Sequence, residues 1–495
     1  MCFRRIWRTH VPYTYSNEAH NTSLPTLPHQ VQEINTFSLN LRFMVYVIFA
    51  RFGNNIWTYF FLPALFISAF FLTLGCKALQ LRKFGFAMKE TIGKAFHKTN
   101  ASHSSVSAFQ AASTALGSTV GTGNIVGTAQ AITMGGPGAL FWLWAAAFIS
   151  MIVKYAEILL AIHFRKDTPG FGPMDYIQHG LKSRILALCY AFLALLSSLA
   201  MGNICQAGSI TDTFTAAMAN IFDAPVFTGM LSRFSVGLVL AALTLLLLVG
   251  GAKRISKWAE ALVPFMVILF ILVTSTVILK NIRSIPGILS MVFREAFNPG
   301  SICGGITGVG TAQCIQWGFR RSAFSNEAGL GTSAIAHASA DTDDAPKQAL
   351  WGIFEVFTDS VVICGCTSLC ILCSGISLPW GKIAGSELFM DAVSTVFGKT
   401  FSSILLAFFI GIFAYTSIMG WLLYGTRCSS YLWGEKSNNI YYAVYCIFLV
   451  VGSILPLKSI WQLSDTINAL MSIPNLIAVI LLSPLVSQIS RDSFS

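Results

Sequence analysis

Residues 115–127 read Ala-Leu-Gly-Ser-Thr-Val-Gly-Thr-Gly-Asn-Ile-Val-Gly, a glycine-rich run seeded with Ser, Thr and Asn inside an otherwise apolar stretch. Each glycine costs about 1 kcal/mol relative to Ala in a helix interior, so this run weakens a helix at its middle. An interrupted helix frees backbone groups. Freed N–H groups and the positive end of a half-helix hold a carboxylate. Freed carbonyls, the Thr and Ser hydroxyls and the Asn124 amide oxygen are hard oxygen ligands for a cation such as Na⁺. Close helix packing through small residues is the competing reading of one such run. A dinucleotide loop is excluded, because the glycine spacing is wrong and no strand precedes it. A second run, Gly304-Gly-Ile-Thr-Gly308-Val-Gly310, repeats the pattern downstream. Glycine-interrupted segments at matching positions of two halves point to a ligand site between them.

Other side chains able to do chemistry are few. Lys154 and Glu157 lie three apart, so on a helix they share a face and neutralise each other in part. Glu355 and Asp359 lie one turn apart. They could form a proton-coupling carboxylate pair, or hydrogen-bond to the string Ser325-Asn326-Glu327-Ala-Gly329 or to water. That string follows the second glycine run and has the small, polar composition of a gate that opens and closes. Asp341, Asp343 and Asp344 read as a solvated loop, and His163 and His337 as interfacial residues at the ends of apolar stretches. Most of the 12 cysteines lie inside apolar segments, as Cys364, Cys366, Cys370 and Cys373 do, without the paired spacing of a zinc site.

The elements that carry these residues must lie in a bilayer. Of 495 residues, 54% are apolar and 11% charged, too few charges to cover a soluble protein of this length. The apolar residues fall in blocks of about 20, the length that crosses about 30 Å of hydrocarbon. Eleven stretches are read as helices, at 55–76, 107–132, 137–163, 185–215, 233–250, 257–280, 300–318, 348–374, 402–430, 438–456 and 463–487. The glycine runs fall in the second and seventh, five apart. Residues 107–282 and 283–487 would then be two inverted repeats, with 44–106 an added first helix and basic loop, and 488–495 a tail. The net charge of +11 is spread between the stretches and forms no nucleic-acid patch. Nineteen Lys and Arg, Arg320 and Arg321 among them, fall in loops on one side and seven on the other, which puts the first side and the C-terminus in the cytoplasm. Residues 1–43 are polar, carry no signal-peptide core and contradict this charge balance. They read as a disordered tail or a start assigned upstream of the true one.

Several strings together resemble the alanine/glycine:cation symporter family: Gly121-Thr-Gly-Asn-Ile-Val-Gly127, Gly135-Gly-Pro-Gly-Ala-Leu-Phe-Trp142-Leu-Trp144, Arg320-Arg-Ser-Ala-Phe-Ser-Asn-Glu-Ala-Gly-Leu-Gly331, Gly420-Trp421-Leu-Leu-Tyr-Gly425, and Trp461 with Asp465 and Ile473-Pro-Asn475. They run in order over about 107–485. The resemblance implies an all-α polytopic membrane protein of about 11 helices, with the five-plus-five inverted-repeat fold of neurotransmitter:sodium symporters and one extra N-terminal helix. It also implies sodium-coupled uptake of alanine or glycine, D-alanine included, across the plasma (inner) membrane. By the same likeness, Gly121, Thr122 and Gly123 with Gly305, Thr307 and Gly308 would hold the substrate, Gln206 would contact it, and Trp421 would keep the pocket small. Gly117 and Val120 would give carbonyls to one sodium facing Thr416 and Ser417, and Asn124 would ligate a second. Ser325, Asn326 and Glu327 would belong to the inner gate. The chain departs from the family at Ser322, where a Gly is usual, and at Leu423-Tyr-Gly-Thr426, where Tyr-Tyr-Gly-Glu is common. A proton-coupled permease of the same fold is the alternative reading. No enzyme constellation or cofactor motif is present, and the expected partners are the amino acid, Na⁺ and lipid.

Overall fold

The computed structural model describes residues 52–95, 106–165, 170–248, 251–297, 310–455 and 457–494. The tail 1–43 and the glycine run 304–309 lie outside the described residues, and with them Gly305, Thr307 and Gly308. Among the described residues the chain is helical, with one isolated bridge between Val106 and Ala340. Among the described residues, nine helices are long and apolar enough to cross a membrane. They correspond to nine of the eleven stretches; the second and seventh are the two that break.

The second stretch forms α3 (Ala108–Thr119) and α4 (Val126–Gly135), with α1 (Leu62–Gly75) and α2 (Phe84–Ala95) before it. A reciprocal capping box starts α3: Ser107 Oγ accepts from Gln110 N and Gln110 Oε1 from Ser107 N. The helix stops at Val120, whose ψ of 92° turns its carbonyl off the helix direction. A short 3₁₀ turn at Thr122–Asn124 bridges to α4. The break is where the glycine spacing puts it.

The third stretch is α5 (Ala139–Phe164), most of whose residues are buried. The fourth runs as one 39-residue rod, Arg184–Phe222, well past the expected end at 215. It comprises α6 (Arg184–Leu199) and α7 (Cys205–Phe222), joined by a π turn at Ala200–Ile204. Helices α8 (Met230–Leu248) and α9 (Gly251–Lys280) follow.

The seventh stretch differs from expectation. Its helix α10 (Thr311–Asn326) continues beyond 318 and carries Arg320 and Arg321, which are therefore helix residues and not loop charges. The helix ends where Glu327 takes a left-handed conformation, φ 56°, followed by Gly329 at 89° and Gly331 at 77°. A second, short helix α11 (Thr332–His337) then begins. The described break of this stretch is thus Glu327–Gly331, in the Ser-Asn-Glu-Ala-Gly string. Ser325, Asn326 and Glu327 are all buried.

The eighth stretch comprises α12 (Ala345–Val356) and α13 (Cys364–Cys373) around another π turn, Phe357–Ile363. Then come α14 (Lys399–Trp433), α15 (Asn438–Ile454), α16 (Leu457–Leu481) and α17 (Ser483–Phe494), the last of which takes in most of the expected tail 488–495. Single π turns interrupt helices most often at functional sites. Of the four π turns among the described residues, one adjoins Gln206 and another contains Asp359.

Candidate functional site

The first break is held by its own asparagine. Asn124 Oδ1 accepts from Gly121 N at 2.9 Å, replacing a backbone bond lost where the helix stops. The amide nitrogen donates to Ser325 Oγ at 2.9 Å and to Asp359 Oδ1 at 2.7 Å. Ser325 in turn donates to Asp359 Oδ2 at 2.8 Å, and Ser360 to the same oxygen at 2.9 Å. One side chain on the first break therefore touches the residue just before the second break and a carboxylate in the π turn of the eighth stretch. This answers the expectation for Asp359: its partners are Asn124, Ser325 and Ser360, and it forms no pair with Glu355. Cys364 lies 3.3 Å from the Asn124 amide, a buried small residue on α13.

Helix α14 closes the other face of the first break. Ser417 Oγ donates toward Gly117 O and Ser118 O, at 3.4 and 3.1 Å. A Cβ on Gly117 would lie 3.4 Å from Thr416 Cβ, and one on Gly121 would lie 2.7 Å from Ser417 Oγ. Gly117, Gly121, Thr416 and Ser417 are therefore neighbours, and two backbone carbonyls meet the Ser417 hydroxyl there, while Thr416 Oγ1 donates to Phe413 O at 2.9 Å. Such uncharged oxygens suit a hard monovalent cation. Val120 is buried beside them. Asn124 is separate from this group, on the Asp359 side of the break, and its oxygen is already engaged by Gly121 N. It acts as a brace in this conformation.

Gln206 comes in from α7. Thr122 Oγ1 donates to Gln206 Oε1 at 3.2 Å, and the Gln206 amide lies 3.7 Å from a Cβ placed on Gly121. Trp421 is buried on α14 and packs so tightly on Gly202 that a Cβ there would lie 2.1 Å from its own. Phe324 covers Gly123, its ring 3.4 Å from a Cβ placed there. On the opposite side of the break, Tyr424 and Ser118 hydroxyls meet at 2.5 Å.

The second break is held by residues whose partners differ from those expected. Glu157 Oε1 accepts from Gly329 N at 3.0 Å, Gly331 N at 3.2 Å and Asn475 Nδ2 at 2.5 Å. Asn475 also donates to Gly329 O at 2.9 Å, and Tyr190 to Leu330 O at 2.8 Å. Lys154 does not pair with Glu157. It reaches Asn326 O at 2.8 Å and Glu355 Oε2 at 3.2 Å, because the helix turn points the two side chains to different neighbours. Glu355 Oε1 meets His337 Nε2 at 2.6 Å, and His337 Nδ1 meets Gln348 Nε2 at 2.7 Å. His337 is thus fully buried at the end of α11 and is no interfacial residue. Sequence reasoning missed the role of Lys154, Glu157, His337 and Asn475 in holding the second break. The Pro474-Asn475 pair within α16 was the one local signal for it. Glu327 Oε2 accepts from Thr332 Oγ1 at 2.6 Å, a cap across the break onto α11.

The two breaks are laced together through Asn124 and Ser325, and the sequence that builds them has known relatives. The profile of the sodium:alanine symporter family matches residues 42–494. The chain belongs to this family. A sodium/alanine symporter AgcS of Methanococcus maripaludis is 35% identical over 442 residues, covering 88% of this chain and 94% of that protein. An uncharacterised transporter of Haemophilus influenzae is 36% identical, with 86% and 91% covered. A probable sodium/glutamine symporter GlnT of Bacillus subtilis is 34% identical, with 89% of each chain covered. As a sodium:alanine symporter family member the chain is a multi-pass membrane transporter and not an enzyme. Its family strings are the strings that build both breaks.

Proposed function

We propose that the protein carries a small neutral amino acid, alanine or glycine, into the cell together with Na⁺, by alternating access around the two breaks. The observation that carries this reading is the contact of Asn124 in the first break with Ser325 at the edge of the second. A pair of discontinuous helices meeting inside a bundle supplies free N–H groups for a carboxylate and free carbonyls for a cation. Gly121, Thr122 and Gly123 supply the former; Gly117, Val120, Thr416 and Ser417 supply the latter. The five-plus-five repeat fits, since the breaks fall in the second and seventh stretches. Gly305, Thr307 and Gly308 of the second run would face the substrate from the partner helix, with Ser325, Asn326 and Glu327 at the inner gate. Gln206 and the tightly packed Trp421 limit the size of the cargo, which favours alanine and glycine over the glutamine named for one relative.

The experiment is uptake of radiolabelled alanine into proteoliposomes, with an inward sodium gradient or with choline in its place, competed by glycine, D-alanine, serine, glutamine and leucine. Sodium-dependent uptake, competed by glycine and not by leucine, is the expected result. Uptake that persists in choline and follows a pH gradient would replace sodium with protons. Stronger competition by glutamine than by glycine would overturn the size argument.

A further inference from the structure

Two adjacent arginines on α10 are treated very differently. Arg320 is fully engaged: its guanidinium bonds Asp465 Oδ2 at 3.0 Å and Asn54 Oδ1 at 2.8 Å. Among the described residues Arg321 has neither a hydrogen bond nor an ion pair, and its Nε is shielded from solvent. Its neighbours are rings. The guanidinium carbon lies 5.2 Å from the Trp317 ring centroid and 5.7 Å from that of Phe324. Its Cδ is 3.5 Å from a Cβ placed on Gly127, in the first turn of α4, while Phe324 covers Gly123 in the break itself. The residue is partly exposed. It therefore stands one aromatic ring away from the first break, on the α4 side, which the loop charges place toward the outside.

A guanidinium carries five N–H donors in a planar fork that matches a carboxylate. Aromatic faces stabilise its charge but accept few of its hydrogen bonds. The carboxylate on the facing helix, Asp465, is already bonded through Oδ2 to Arg320, and its backbone carbonyl accepts from Trp57 Nε1 at 2.9 Å. Helix α16 thus keeps Asp465 on Arg320 and leaves the Arg321 fork open.

We infer that Arg321 is a carboxylate-binding residue on the outer approach to the site, where it captures the amino acid's carboxylate before Gly121–Gly123 take it over. Trp317 and Phe324 hold the fork in place, and Phe324 separates this capture position from the break. The inference rests on the proposed uptake of an amino acid. It predicts an effect on capture and not on the later steps of the cycle.

The test is sodium-driven alanine uptake by wild type, Arg321→Gln and Arg321→Lys in proteoliposomes, with Asp465→Asn alongside and thermal unfolding of each purified protein as a check on folding. If the wild type moves no alanine, the proposed function fails and Arg321 is not in question. With an active wild type, Arg321→Gln is expected to raise KM for alanine about tenfold, at the low end of what a focused charge contributes to association. Its maximal rate and half-saturating sodium concentration stay within about twofold, and Arg321→Lys recovers part of the KM. An unchanged KM in a folded Arg321→Gln protein overturns the inference. So does an equal rise in KM for Asp465→Asn, which would show Arg321 acting through a closing contact with Asp465. Should Arg321→Gln not fold, Arg321→Lys alone decides: a raised KM at unchanged maximal rate supports the inference, and wild-type kinetics at both substrate and sodium overturn it.

Discussion

At the scale of single residues, Asn124 and Ser417 separate two kinds of support for the same break. Asn124 Oδ1 pairs a buried N–H, and its amide nitrogen ties the break to Ser325 and Asp359. Removing it leaves several buried polar groups without partners, each costing about 1–3 kcal/mol. Asn124→Ala should therefore lower the unfolding temperature as well as the maximal uptake rate. Ser417 instead offers its oxygen among the Gly117 and Ser118 carbonyls, and its loss removes one small contact. Ser417→Ala should raise the half-saturating sodium concentration about tenfold, as loss of a charge-to-oxygen contact of about 1.4 kcal/mol would, with alanine KM at saturating sodium near that of wild type. Flux measured against sodium concentration, with unfolding followed by fluorescence, checks both. If the two variants behave alike, the distinction between brace and ligand is lost.

At the scale of elements, the second break is a loop that the surrounding helices hold in place. Lys154 on α5 and Glu355 on α12 form an ion pair with both side chains fully buried, and His337 on α11 bonds the same carboxylate. Removing one partner of such a pair costs about 3–5 kcal/mol, because the other charge stays buried and unpaired. Lys154→Met should therefore destabilise the protein strongly. Adding Glu355→Gln should recover much of the loss, since Gln still offers an oxygen to His337. Unfolding temperatures of the single and double variants test this; a double variant no more stable than Lys154→Met would mean that the pair is not the source of the cost. The same helices show what could be read from sequence. The first break was legible because its glycines interrupt an apolar stretch, and hydropathy registers that. The run Gly304–Gly310 lies almost wholly outside the described residues, and the break seen at Glu327–Gly331 is an additional one that hydropathy misses because Asn326-Glu-Ala-Gly-Leu-Gly331 is polar enough to pass for a loop. Hydropathy cannot tell a polar segment in water from one enclosed by Glu157, Asn475, Lys154 and Tyr190, since those partners lie far away in sequence. For the same reason Lys154 was matched with its neighbour Glu157 when its partner sits on another helix, about 200 residues on.

At the scale of the whole molecule, the charges flanking the apolar spans give the protein a direction. Moving Arg320 and Arg321 from a loop into α10 lowers the count on the basic side without changing which side is richer in Lys and Arg. Cytoplasmic loops carry that excess. The side holding Lys77, Arg82, Lys83, Lys347 and Arg491 should therefore face the cytoplasm, and the turn at Pro225–Thr228 the outside. On this orientation Arg321 and Phe324 would lie on the outer approach proposed above, and the Ser118–Tyr424 contact on the inner one. A protease-sensitive tag after residue 495 should be cut in inverted membrane vesicles and protected in intact cells, whereas a tag inserted in the Pro225–Thr228 turn should show the reverse. The opposite pattern would turn the molecule over in the bilayer. Arg321 would then face the cytoplasm, where it could capture substrate only on the way out, and its effect on KM should appear in efflux from loaded vesicles and vanish from uptake.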